Sequence, residues 1–178
     1  EMEKTKEKLD YIHLPQGTIL KNNYKIMTRI SDRSNMSIVY LALDHNKRKV
    51  VIKEFFPKNL VLRDLDGKKV VYKSRLLKDK FAREKELFLH EKQVMNKFKD
   101  NRYIADCYGA FRENNTVYLV MKYYKGDNLK DYFKYQNVDY NTFYQKIFFP
   151  LLKTVHQIHK KGYIHRDLKP SNIIIYKD

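Results

Sequence analysis

One stretch constrains the chain more than any other: His165-Arg166-Asp167-Leu168-Lys169-Pro170-Ser171-Asn172, running into Ile173-Ile174-Ile175. An acid, a cation and an amide are spaced so that all three can face one phosphate. Asp167 can accept a proton from an attacking hydroxyl. Lys169 can neutralise charge gathering on a transferred phosphoryl group, and Asn172 can offer its amide oxygen to a magnesium ion. Phosphoryl transfer asks mainly for positioning and charge neutralisation, and this inventory supplies both. Pro170 lacks an N–H and is expected to keep the stretch out of a helix; the isoleucine run reads as a short buried strand.

The rest of the composition permits such a site and excludes others. With 178 residues, 43% hydrophobic and 33% charged, the chain can bury a core and is not of the disordered class. The formal charge of +16 comes from Lys and Arg scattered through every segment. It reads as a solvated surface, without the concentrated basic arm or helix of a nucleic-acid binder. The single cysteine, Cys107, rules out an internal disulfide and a cysteine-based zinc site, and its place in an apolar run reads as a small buried hydrophobe. His156 and His159 have no acidic or cysteine companions at ligand spacing, so no metal is expected there. No apolar run reaches the roughly 18–20 residues of a membrane span, and no signal-peptide pattern leads the chain. The expected location is cytoplasmic.

The string from His165 to Asn172 matches H-R-D-L-K-P-x-N and resembles the catalytic loop of protein kinases. Upstream segments follow in that family's order. Tyr24–Ile30 and Ile38–Leu43 alternate as paired strands. By the resemblance, the polar loop between them is the lid over the ATP phosphates. Counting back from Val39 sets its three glycine positions at Asp32, Ser34 and Ser37, none of which is glycine. Ser34 and Ser37 are small enough to present N–H groups, so a weakened lid is expected. Val50-Val51-Ile52-Lys53 resembles the V-A-I-K strand, with Val51 against adenine and Lys53 reaching the α- and β-phosphates. Leu14–Leu20 and Glu54-Phe55-Phe56-Pro57 resemble bacterial members of the superfamily.

Residues 74–98 have the spacing of one long helix. The family places a glutamate on it as ion-pair partner of the strand lysine. Glu91 shares a face with Phe88, Met95 and Phe98 and is chosen; Glu84 and Glu86 read as solvated. Tyr103–Phe111 and Thr116–Tyr124 read as a hairpin around Asn114-Asn115. Its second strand resembles the kinase hinge. The resemblance makes Met121 the residue behind adenine, gives Lys122 and Tyr124 backbone contacts to its edge, sends Asn128 or Asp127 to the ribose, and adds Ile174 as a nucleotide contact. A short helix capped by Asp127 or Asn128 follows. Residues 140–161 form the next, with a kink expected at Pro150 and a stop at Gly162.

The resemblance thus implies an α+β, protein-kinase-like fold. Residues 1–13 are a lead-in, 14–125 a complete N-terminal lobe of antiparallel sheet plus one long helix, with the hinge, and 126–178 the start of a mainly helical C-terminal lobe. It implies ATP and magnesium as cofactors, Lys53, Glu91, Asp167 and Lys169 as catalytic residues, Asn172 as metal ligand, and a protein serine or threonine as acceptor. Lys169-Pro170 resembles the serine/threonine branch. Asp178 comes six residues after Asn172, before any D-F-G aspartate, so the chain is expected to be a fragment, inactive by itself and prone to self-association through exposed large-lobe surface. Two alternatives stay open. The glycine-less lid would suit a pseudokinase or nucleotide-binding interaction module, and the Asp/Asn pair would suit a small-molecule phosphotransferase.

Overall fold

The computed structural model describes residues 12–31 and 34–176; Asp32, Asp178 and residues 1–11 of the lead-in lie outside them. The chain divides into two compact units, one built from the chain up to Phe98 with Ala105–Tyr123, the other from Lys99–Ile104 with the chain from Tyr124 onward.

The first unit is a curled antiparallel sheet with one long helix. Its strands are β1 (Ile19–Leu20), β2 (Tyr24–Ser31), β3 (Ser37–Leu43), β4 (Lys49–Phe55), β7 (Cys107–Glu113) and β8 (Thr116–Lys122), in the order β1-β2-β3-β4-β8-β7. The alternating segments supply one face to the core. Tyr40, Ala42, Val50, Ile52, Tyr118 and Val120 are all but inaccessible to solvent. At the β7–β8 turn, Asn114 and Asn115 both take positive φ (52° and 62°), the backbone a two-residue hairpin needs to match strand twist. The hairpin is shorter than the sequence suggests: Tyr103 to Asp106 lie before β7, where Asn101 Oδ1 accepts from the Tyr103 N–H at 2.9 Å and turns the chain.

Between β4 and the long helix the chain forms a second hairpin, β5 (Val61–Arg63) and β6 (Val70–Tyr72), turning at Asp66-Gly67. The helix α1 (Lys78–Asn96) follows a 3-10 turn at Arg75–Leu77 whose first N–H groups are capped by Ser74. Phe81 and Phe88 anchor it by packing on Phe55 of β4, with ring centroids 5.3 and 5.2 Å away. That contact settles which face of α1 meets the sheet.

Behind β4 sits a polar cluster. Glu54 and Arg63 form an ion pair with both side chains fully buried, Arg63 Nη1 lying 2.7 Å from Glu54 Oε1. Tyr40 and Tyr118 donate their hydroxyls to the same carboxylate at 2.9 and 3.1 Å. Burial, then the Glu54 charge, pushes both phenols well above their usual pKa. Truncating one member of such a buried pair typically costs about 3–5 kcal/mol, because the other charge is left uncompensated.

In the second unit, β9 (Gly126–Asn128) pairs antiparallel with β10 (Ile174–Tyr176). Helix α2 (Leu129–Tyr135) is capped by Asn128 rather than Asp127: Asn128 Oδ1 accepts from the Asp131 N–H at 3.0 Å. Asp139 caps one turn, Tyr140–Thr142, which runs into a π-helical segment, Phe143–Phe148, and then α3 (Phe149–Lys160). The kink expected at Pro150 is therefore a widened turn upstream of it, marked by the Phe149 N–H bonding to the Tyr144 carbonyl. A proline leaves the carbonyl four residues earlier without an α-type donor, and an inserted residue is one way to relieve this. Gly162, at φ 79°, ends the helix with its N–H on the His159 carbonyl.

Two expectations for the end of the chain are corrected. Pro170 does not exclude helix but begins a single 3-10 turn, Pro170–Asn172, where the missing N–H costs nothing. The isoleucine strand starts at Ile174, which is 44% exposed, and β10 has β9 as its one partner in a two-stranded sheet.

Candidate active site

Alternation along β4 puts Lys53 and Glu54 on opposite faces of the sheet. The register Val39↔Lys53↔Leu119, with Val51↔Met121 two pairs along, gathers Val39, Val51, Lys53 and Met121 on the same face. There Lys53 Nζ donates to Glu91 Oε1 at 2.9 Å and lies 5.3 Å from the Phe88 ring centroid. The structure thus brings together the lysine and the glutamate singled out in the sequence. Glu86 pairs instead with Arg112 of β7 at 2.8 Å, both side chains well exposed. Glu84 departs from expectation. It is not on a fully solvated face, and its Oε2 is buried without a hydrogen-bond partner, the only such side-chain atom among the described residues.

The two described lid serines differ. Ser34 Oγ accepts from the Met36 N–H at 3.1 Å, closing a tight turn. Ser37 is the buried first residue of β3, opposite Phe55, so it belongs to the strand and not to the loop in which the sequence placed it. The tip is stitched to the chain after β4: the N–H groups of Phe56 and Lys58 donate to the carbonyls of Met36 and Asn35, each at 2.9 Å. No sequence signal announced these bonds.

Lys122 ends β8, with its N–H on the Asp106 carbonyl at 3.0 Å, and Tyr124 opens the second unit, its ring 4.8 Å from that of Tyr176. Asn128 is committed to its cap at both ends, since Nδ2 also donates to Asp131 Oδ2 at 2.7 Å. A ribose contact from Asn128 would break that cap. Asp127, its alternative, is exposed in β9.

The catalytic-loop residues do converge. Lys169 Nζ is 3.2 Å from Asp167 Oδ1. Asn172 Nδ2 donates to the Asp167 carbonyl at 2.8 Å and to Asp167 Oδ2 at 3.0 Å. The Asp167 N–H donates to His165 Nδ1 at 3.3 Å. Slight desolvation works to raise the Asp167 pKa, but hydrogen bonds from Lys169 and Asn172, with the charges of Lys169 and His165, hold it below the usual carboxylate value. Arg166 is held at φ 66°, a strained setting for an arginine that turns the chain just before the acid.

Asn172 uses its amide nitrogen on Asp167, which directs the carbonyl oxygen away from that residue. A hard oxygen donor of this kind fits magnesium, which keeps waters and takes few protein ligands. Among the described residues no cluster of three or more His, Cys, Asp or Glu forms a metal cage.

The protein kinase domain family matches residues 58–178. The mouse (Mus musculus) citron Rho-interacting kinase is 33% identical over 108 residues, 59% of this chain and 5% of that protein. The serine/threonine-protein kinase PknA of Nostoc sp. is 26% identical over 160 residues, 88% of this chain and 26% of that one. Among solved structures, the apo form of PpkA-294 superposes with a TM-score of 0.82 at 27% identity, covering 93% of this chain and 58% of that chain. The chain therefore spans only part of the length of each of these relatives. Sheet, helix, catalytic loop and sequence match agree: this chain belongs to the protein kinase family, as an eukaryotic-like kinase with the N-terminal lobe and the beginning of the C-terminal lobe.

Proposed function

We propose that the chain is the ATP-binding and catalytic-loop portion of a magnesium-dependent serine/threonine protein kinase. The observation that carries this reading is the Asp167 cluster: a carboxylate kept ionised by Lys169 and Asn172, on a loop whose backbone is held in place. In the proposed reaction the hydroxyl oxygen of a serine or threonine attacks the γ-phosphorus of ATP while Asp167 takes the hydroxyl proton. The bond from the γ-phosphorus to the bridging oxygen breaks, and ADP leaves. Lys169 offsets negative charge on the transferred group. Lys53, steadied by Glu91, holds the α- and β-phosphates, and Val39, Val51, Met121 and Ile174 supply apolar contacts to the base. Asp127 serves the ribose. Magnesium, when bound, neutralises the triphosphate, with Asn172 as its ligand here. The Lys169-Pro170 pair and the similarity to the serine/threonine-protein kinase PknA of Nostoc sp. favour serine/threonine over other acceptors.

Asp167→Asn in the full-length protein tests this. Loss of about 10²–10⁴-fold in phosphate transfer to serine or threonine, with ATP affinity within about twofold, is expected, because a positioned general base contributes that much. Transfer retained above about a tenth of wild type would refute it. A second reading, a nucleotide-binding module without transfer, draws on the lid without glycines, whose tip is occupied with its own hydrogen bonds. Nucleotide binding by a full-length protein that transfers no phosphate would favour it. Transfer to a small-molecule hydroxyl in place of protein would favour a phosphotransferase.

A further inference from the structure

We propose that Tyr40, Glu54, Arg63 and Tyr118 are positioning residues for Lys53, acting through β4 from the opposite face of the sheet. The proposal rests on the reading of Lys53 as the phosphate-holding residue. Each sheet member of the cluster is the chain neighbour of a residue on the Lys53 face: Tyr40 follows Val39, Glu54 follows Lys53, and Tyr118 precedes Leu119. The cluster therefore grips the three strands whose register Val39↔Lys53↔Leu119 places the lysine.

The grip is saturated. The Glu54 carboxylate accepts four hydrogen bonds, from Arg63 Nη1 and Nη2 at 2.7 Å each, from the Tyr40 hydroxyl at 2.9 Å and from the Tyr118 hydroxyl at 3.1 Å. Arg63 uses two of its other donors on the Ile12 carbonyl (2.9 Å) and the Lys68 carbonyl (2.8 Å), and its guanidinium lies 4.6 Å from the Phe56 ring centroid. The Tyr40 hydroxyl also accepts from the Leu14 N–H at 3.0 Å, so the segment before β1 closes the cluster.

Cohesion alone is a poor account of it, since well-packed apolar side chains of similar volume hold a core at least as well as a buried ion pair. What the ion pair adds is geometry. β4 cannot slide or rotate without unpairing a buried charge, whereas apolar contacts would let it settle elsewhere. Lys53 needs this because its own side chain is partly exposed and its ammonium group is held by one carboxylate, itself 42% exposed. A phosphate-holding cation displaced by on the order of an ångström loses much of its effect, up to roughly 10²-fold.

The test combines two readouts on Tyr40→Phe, Tyr118→Phe and Glu54→Gln, each at a temperature where circular dichroism shows a folded protein. The first is acylation of Lys53 by acetic anhydride, read by mass spectrometry with Glu91→Gln as the unpaired reference. The second is ATP affinity, with Lys53→Met as reference. The phenylalanine variants keep the ring packing and remain informative if Glu54→Gln does not fold. The proposal expects Lys53 labelling to rise several-fold toward the Glu91→Gln level, and ATP affinity to fall by about tenfold, inside the range that ångström-scale misplacement allows. Folded Tyr40→Phe and Tyr118→Phe proteins with lowered melting temperatures but wild-type Lys53 labelling would overturn it. If Lys53→Met itself leaves ATP affinity unchanged, the nucleotide role of Lys53 fails, while the labelling still decides whether the cluster positions the lysine.

Discussion

Replacing Gly126 by alanine probes how the second unit holds the strand that follows the catalytic loop. A Cβ on Gly126 would clash with the Ile175 carbonyl oxygen and lie 2.8 Å from its carbon and 2.9 Å from Tyr176 Cα. These are backbone atoms of the partner strand, so no rotamer change relieves the clash; β9 and β10 must part. At stake is the pairing Ile174↔Asn128, Ile175↔Asp127 and Tyr176↔Gly126, with the Leu129 N–H bond to the Ile173 carbonyl at 2.7 Å and the Tyr124–Tyr176 ring contact. Two or three hydrogen bonds at about 1 kcal/mol each, and about 1 kcal/mol for the ring pair, give about 3–4 kcal/mol. The gain from restricting the unfolded chain, about 0.4–1 kcal/mol, offsets only part. Net destabilisation of about 3 kcal/mol corresponds to a drop of roughly 10²-fold in amide-exchange protection at Ile174–Tyr176. Gly109→Ala, where an added Cβ meets nothing within 4 Å, is the control and should be close to neutral. Wild-type protection in Gly126→Ala would refute the reasoning.

Further outcomes follow from the same geometry. Lys53→Met and Glu91→Gln should weaken ATP binding non-additively, the double variant losing little more than either alone; additive losses in the cycle would show that the two do not act as a pair. Their effect on stability should stay within about 1 kcal/mol, because the pair is partly exposed. The Asp167 carboxyl, followed by carbon NMR, should titrate below the ordinary aspartate value of about 3.9, and Lys169→Met should raise it. A depressed folded pKa means the stabilisation is present above the ordinary value and is lost as pH falls through the folded one, so an unchanged titration in Lys169→Met would refute the assignment. Pro150→Ala should restore a donor near the π-helical segment and raise helical circular dichroism; no change would separate the widened turn from the proline. The chain by itself should sediment as more than a monomer at micromolar concentration, through Phe133, Phe148, Phe149 and Leu152, all exposed in the second unit; a sharp monomer would count against that.

What was legible in the sequence was whatever a local period or an ordered motif could express. Alternation set β2 and β3 nearly to their ends, the apolar run before Lys53 marked β4 but stopped it two residues short of Phe55, and the apolar companions of Glu91 along α1 separated it from Glu86. The hairpin β5–β6 was missed because three-residue strands are too short to display a period. Arg63 was invisible for a related reason: a lone arginine after Leu60-Val61-Leu62 has no pattern to show that distant Glu54 will neutralise it. Ser37 was assigned to the loop by counting back from Val39, whereas strand pairing with Phe55 claimed it. Asn128 was weighed for ribose and for a cap, and the backbone of α2 took both ends of its amide.

The neighbouring charges Lys53 and Glu54 also bear on how the sheet finds its pairing during folding. Strand side chains alternate, so a slip of β4 by one residue would exchange the two between faces. The lysine would enter the buried side, against Arg63, and the glutamate would emerge beside Glu91, so a single slip would create two encounters between like charges. Runs of valine and isoleucine such as Val50-Val51-Ile52 carry little information of this kind, because either face accepts them. The charged dipeptide therefore works as proofreading in the middle of the sheet: it makes the wrong register costly before any nucleotide is present, and does so through states the native protein never occupies.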